Sequence, residues 1–290
     1  MIFFGKLAFV LGKAGIAILV DKANARPLAA SATGIKLRQM LNKVPEVTLY
    51  FWIIKVLATT VGETAADFLS ETLHFGTVTT SYVMGTLFLI ALVVQMRLRK
   101  YVPAAYWLVV VLVSVVGTLV SDRLVDGLGI SLQTTTIIFA SVLALVFALW
   151  WLSEKTLSVH SIHTTQRELF YWAAILFTFA LGTSAGDLAA ESSGLGFALS
   201  ALMFAGLIAL TALAYFKFKV NGVIAFWIAY ILTRPLGASM GDLLSQSRTD
   251  GGLGLGTTIT SALFLLTILA LVTYLTRTKA DYIPPERTVA

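Results

Sequence analysis

The chain has 290 residues, of which 58% are hydrophobic and only 12% charged, against about 25% charged in an ordinary soluble domain. Its mean hydropathy is +0.87, and apolar stretches recur along nearly all of it, which excludes a water-soluble enzyme, a disordered or fibrous chain and a large domain outside the membrane. With no cysteine there are no disulfides, thiolate metal sites or cysteine nucleophiles, and the formal charge of +6 calls for no nucleic-acid partner, because membrane topology accounts for it.

Residues 1–46 form an N-terminal segment. Within it, residues 2–20 are apolar but contain Lys6 and Lys13, and Asp21 and Lys22 follow at once. That pattern suits an interfacial amphipathic helix better than a full span. A signal peptide is the rival reading, with Ala-rich residues at 29–32, although Lys13 interrupts the apolar core such a peptide needs; a ninth span is the third. Beyond this segment, apolar stretches cover 47–69, 77–96, 103–121, 130–152, 168–188, 195–216, 221–243 and 254–275. Each approaches the roughly 20 residues that cross a hydrocarbon core, and none alternates like a barrel strand. The expected class is all-α: a polytopic membrane protein of eight transmembrane helices, built as four repeated two-helix hairpins with internal pseudo-symmetry. The first half (47–165) and the second half (166–280) each hold two hairpins, and 281–290 is a cytoplasmic tail. Short connections predict that sequence neighbours pack as antiparallel neighbours.

Basic residues set the direction. One side carries Lys36, Arg38, Lys43, Arg97, Arg99, Lys100, Lys155, Arg167, Lys217, Lys219, Arg277, Lys279 and Arg287; the other offers Arg123 and Arg248. The positive-inside rule makes the first side, with the C-terminus, cytoplasmic. The opposite loops are acidic, with Glu71, Asp126, Glu191 and Asp250 in or beside them.

Four segments share one pattern: FWIIKVLATTVGETAAD (51–67), YWLVVVLVSVVGTLVSD (106–122), YWAAILFTFALGTSAGD (171–187) and FWIAYILTRPLGASMGD (226–242). Each reads aromatic, Trp, nine residues, Gly, four residues, Asp. Trp52, Trp107, Trp172 and Trp227 are expected as interface anchors, and Gly62, Gly117, Gly182 and Gly237 as helix-packing positions. Fifteen residues separate each Trp from its Asp, about 22 Å of helix, so Asp67, Asp122, Asp187 and Asp242 fall in the outer part of the membrane. All four units enter the membrane in the same direction, which predicts a ring of hairpins about an axis along the membrane normal.

A carboxylate in the last turn of a helix meets the negative end of the helix dipole, and clustered carboxylates repel one another. A cation, a proton or a basic partner relieves both costs. Three units add an acid four residues on, in Glu71, Asp126 and Glu191, and the fourth has Gln246 instead. On one helical face these pairs present two carboxylates to an ion or form a negative vestibule. Glu63 stands one turn before Asp67, where the other repeats have Thr118, Thr183 and Ala238, and is the best asymmetric ion or proton carrier. An oxygen-only donor set enriched by Thr64, Ser121, Ser184 and Ser239 suits a hard divalent cation such as Mn²⁺, Mg²⁺ or Ca²⁺.

Two basic residues lie inside spans. Lys55, near the cytoplasmic end, is expected to snorkel to the interface. Arg234, three residues before Gly237, should face the bundle interior and find a carboxylate, with Glu63 or an aspartate as partner. Pro235 removes a backbone donor beside it, so the pair reads as a gate or a locked ion pair. His160 and His163 have metal-ligand spacing but sit in a polar loop, and His74 lies in the first outer loop. No phosphate-binding loop, catalytic triad or zinc-protease motif is present, so an enzyme is not expected.

The four motifs, particularly TTVGETAADFL and LGTSAGDL, resemble a bacterial family described as uncharacterised membrane-anchored proteins, multi-pass in the inner membrane, over about residues 45–280. The resemblance implies a bacterial inner-membrane location. The acidic motifs also resemble, distantly, duplicated cation-exchanger families, which place a basic residue directly after the aspartate; here only Asp122 is so followed, by Arg123. The reading is a cation transporter or channel-like protein with Asp67, Asp122, Asp187 and Asp242 as an outer site. Its expected partners are the lipid bilayer and an inorganic cation or proton, with a bound divalent cation in place of any organic cofactor. The competing reading is a non-transporting structural or assembly protein whose acidic face binds a partner.

Overall fold

The computed structural model describes residues 42–192 and 194–282. Among the described residues eight long helices follow one another: α1 (Leu49–Asp67), α2 (Gly76–Arg97), α3 (Pro103–Asp122), α4 (Leu132–Glu154), α5 (Thr165–Asp187), α6 (Gly196–Phe218), α7 (Gly222–Ser245) and α8 (Thr257–Thr278). Local chemistry sets their ends. Thr48, Ser131, Thr164 and Asn221 accept backbone N–H groups at the starts of α1, α4, α5 and α7, and Pro103 opens α3, where its missing donor costs nothing. Lys155, Lys219 and Lys279 close α4, α6 and α8 in the left-handed conformation, putting cations at the negative ends of helix dipoles.

The odd-numbered helices form a closed inner ring in which α1 packs on α3, α3 on α5, α5 on α7 and α7 on α1. Even-numbered helices lie outside it and expose rows of Leu, Ile and Val, the surface a bilayer requires. Seven of the eight are long and apolar enough to cross a membrane. The exception is α1, which carries Lys55, Glu63 and Asp67. It is shielded by α3, α7 and α8.

One expectation about the hairpins needs correction. The two helices of a hairpin are not each other's main partners. Instead α2 packs on α3, α4 on α5, α6 on α7 and α8 back on α1, so each outer helix braces the inner helix of the next repeat. Closing the ring therefore takes all four units. The glycines explain how closely the inner helices approach. A Cβ on Gly62 would collide with Ser114, on Gly117 with Phe179, on Gly182 with Arg234, and on Gly237 with Thr59. In every case the neighbour is the residue three before the glycine of the next repeat, and the series ends where it began. The packing role expected of these glycines is thus visible contact by contact.

The tryptophans correct a second expectation. They are not lipid-facing anchors: Trp52, Trp107, Trp172 and Trp227 are all buried. Each takes the aromatic residue of the preceding repeat, with centroid distances of 5.7 Å for Phe51–Trp107, 5.6 Å for Tyr106–Trp172, 6.3 Å for Tyr171–Trp227 and 5.7 Å for Phe226–Trp52. Eight rings close the basic end of the inner ring as an aromatic floor. Edge and tilted contacts of this kind are the favoured aromatic geometries.

Beneath the floor, the segment before α1 and the chain after α8 are knitted together. Lys43 pairs with Glu168 at 2.6 Å, the Glu46 N–H donates to the Asp281 carbonyl at 3.0 Å, and the Tyr101 hydroxyl donates to the Asp281 carboxylate. Asp281 and Tyr282 are consequently packed structure rather than free tail. The interfacial helix expected at residues 2–20 and the rest of the tail, 283–290, lie outside the described residues. Burial raises the Glu46 carboxyl to about 7, and neither of its oxygens has a hydrogen-bond partner. Burial likewise raises Asp281.

Candidate cation site on the ring axis

Residues four apart on an inner helix form one ridge, so aligning the repeats by their glycines stacks chemically distinct layers along the axis. Above the aromatic floor come Lys55, Val110, Ile175 and Tyr230, then Thr59, Ser114, Phe179 and Arg234. Next are Glu63, Thr118, Thr183 and Ala238, and last the four aspartates. The three lower layers are buried throughout.

Arg234 holds the centre. Its side chain is fully buried, and its Nη2 donates to Glu63 Oε2 at 2.9 Å, to Thr183 Oγ1 at 2.6 Å and to Thr118 Oγ1, while Nη1 donates to the Thr59 carbonyl at 3.3 Å. One guanidinium thus reaches the other three repeats at once, and in its own repeat the equivalent position is the small Ala238. The expected pairing with Glu63 is present. Pro235 sits inside an uninterrupted α7 and leaves the Ile231 carbonyl without its helical donor.

The carboxylates do not form the fourfold ring expected of the aspartates. Among the described residues, Glu63, Asp187 and Asp242 converge, with one carboxylate oxygen from each all within 4.8 Å of one another. Asp67 and Asp122 flank this trio half-buried, both within electrostatic reach of Glu63. Beyond the aspartates the repeats also differ in backbone. The helices α1, α3 and α5 end at their aspartates and widen into π turns, Phe68–Thr72, Arg123–Gly127 and Leu188–Ser192, whereas α7 continues through Asp242 to Ser245. A π turn breaks the register that would align residues four apart. Glu71 and Asp126, in these turns, are exposed, and each stays within electrostatic reach of its own aspartate, Asp67 and Asp122 respectively. Glu191 belongs to the third such turn, and its side chain lies outside the described residues.

Lys55 also departs from expectation. It does not snorkel: its side chain is fully buried, and its Nζ lies 4.1 Å above the Phe179 ring and 4.3 Å above that of Tyr230, with no hydrogen-bond partner. Cation–π contact is its visible compensation. Sequence reasoning named Thr118 and Thr183 only as equivalents of Glu63. Their placement in the Arg234 cradle was readable from the repeat alignment, since equivalent positions on a closed ring face one another. His160 and His163 lie at the basic end, away from the acids, and His74 is exposed in a left-handed turn at φ 56.

The repeat that organises this site also places the chain among known sequences. A family model matches it four times, at residues 50–101, 105–156, 170–221 and 225–281, each match beginning two residues before a motif tryptophan. The chain belongs to the family described as Repeat of Unknown Function (DUF347). No curated protein and no solved structure matches it. Each DUF347 repeat covers an inner helix and the outer helix after it, so the sequence unit and the packing unit are offset by one helix.

Proposed function

We propose that this DUF347 protein is an integral membrane transporter or channel-like protein for a cation, a divalent ion such as Mn²⁺, Mg²⁺ or Ca²⁺. The observation that carries the reading is the convergence of Glu63, Asp187 and Asp242 on the ring axis. A triangle with edges of at most 4.8 Å can have its corners about 2.8 Å or less from its centre, close to the 2.0–2.6 Å of a hard cation. Charge supports it as well: the axis holds five carboxylates, Glu63 and the four motif aspartates, against two bases, Lys55 and Arg234. An excess of three negative charges inside an apolar bundle calls for cations or protons.

In this reading all eight helices span, α1 being screened from lipid by its neighbours, and the basic end is cytoplasmic by the positive-inside rule. The location is a bacterial inner membrane, and the protein is not an enzyme. The acidic layer then opens outward while Arg234, Lys55 and the aromatic floor close the axis below it, an arrangement suited to gated transport rather than an open pore. The alternative, a structural or assembly protein binding a partner through its acidic face, draws support from the exposed Glu71 and Asp126. Uptake of Mn²⁺ into proteoliposomes separates the two. The triple variant Glu63→Gln, Asp187→Asn, Asp242→Asn, if folded and reconstituted like the wild type, should abolish saturable uptake; undiminished uptake refutes the transport site.

A further inference from the structure

Arg234 occupies the cradle that a transported cation needs. Its guanidinium takes Glu63 Oε2, both threonine hydroxyls of the same layer and the Thr59 carbonyl, so an arriving ion must share Glu63 with it or displace it. Displacement leads nowhere comfortable. Toward the floor lies Lys55, itself fully buried and without a hydrogen-bond partner, so a retreating guanidinium meets a second base and, in the layers among the described residues, no carboxylate. On one side the stem is hemmed by Gly182, whose missing Cβ is what makes room for it.

A monovalent ion exchanges one unit charge for another, breaks the directional bonds of a planar donor and strands a buried guanidinium. A divalent ion brings two charges to three carboxylates, only one of which Arg234 engages directly. We propose that Arg234 is a selectivity-determining residue: a tethered monovalent competitor that reserves the Glu63–Asp187–Asp242 site for ions carrying two or more charges. The inference rests on the cation-site reading above and adds to it the class of ion admitted and the residue that imposes the choice. Independently of the acidic cluster, the cradle is seen to accept a cation, because a guanidinium fills it.

The test is Mn²⁺ binding followed by the electron paramagnetic resonance of the free ion. The purified full chain is titrated in choline chloride or in NaCl of equal ionic strength, as wild type, Arg234→Gln and Arg234→Lys. Wild-type affinity should be the same in both salts. In Arg234→Gln, exchanging choline for Na⁺ should weaken Mn²⁺ binding at least about tenfold, because Na⁺ enters the vacated cradle. Added guanidinium should then displace Na⁺ from that variant and remove the difference between the salts. Arg234→Lys keeps a tethered charge and should keep the exclusion. Arg234→Gln binding Mn²⁺ equally in both salts overturns the selectivity role and leaves the site standing. Loss of exclusion in Arg234→Lys as well as in Arg234→Gln marks a packing effect and also overturns it, as does failure of guanidinium to act on Arg234→Gln. If Arg234→Gln does not fold, Arg234→Met, which also removes the tethered charge, is titrated in its place under the same criteria. Wild type that binds no Mn²⁺ in either salt refutes the site and the inference together.

Discussion

The aromatic floor and the charged layers above it are built by the same four repeats, yet they use repetition in opposite ways. In the floor the repeats are chemically alike, and each aromatic residue meets the next repeat's tryptophan in an unbroken cycle. One turn above, Val110 and Ile175 share a layer with Lys55, and two layers further Ala238 faces Glu63. Equal residues close a ring and bury area. Unequal ones place a single cation, Arg234, against a single acid, Glu63, on the axis. Symmetry here belongs to the scaffold, and its violations mark where charge is handled.

The charged pair should be the most sensitive point of the ring. Glu63→Ala leaves a buried guanidinium without its carboxylate and should cost about 4 kcal/mol in detergent unfolding, much of which returns when Arg234→Met is added. Floor substitutions test the equality. Alanine at Trp52, Trp107, Trp172 or Trp227 should each cost about 3 kcal/mol, and a spread as wide as that of the charged layers would contradict an equivalent ring. Below the floor, Glu46 probes the basic end. Its folded carboxyl titrates near 7, above an ordinary value of 4.5, so the folded state binds the extra proton between these limits and stability falls as pH rises through them. Glu46→Gln should flatten that fall and gain about 2 kcal/mol above pH 7, read from unfolding midpoints across pH; an unchanged profile refutes this burial effect. The smallest effect is expected for Thr118→Val or Thr183→Val, about 1.5 kcal/mol each for a lost bond to the guanidinium, with Ala238→Gly well below them.

Much of this was legible in the sequence. Hydrophobicity gave the helices, because a bilayer punishes any interruption, and the exact recurrence of Gly and Asp gave the ring. The Arg234–Glu63 pair was legible too, since a guanidinium in such a span needs a carboxylate. What spacing alone could not supply was which element each helix packs against. Nothing in a local pattern says that α2 braces α3 rather than α1. The tryptophans were misread because enrichment at membrane interfaces is a tendency of the residue, whereas the aromatic residue beside each one creates a specific partner across the ring. The four aspartates do not meet as equals, because Asp187 and Asp242 join Glu63 while Asp67 and Asp122 flank them, and no side-chain period reports that.

In the proposed function Glu63, Asp187 and Asp242 hold a divalent ion on the axis. Anomalous diffraction from crystals soaked in Mn²⁺ tests it most directly. A peak within about 2.6 Å of an oxygen from each of the three is the predicted result. A fully occupied peak only at the exposed acids Glu71 or Asp126, with the axis unchanged, would contradict it.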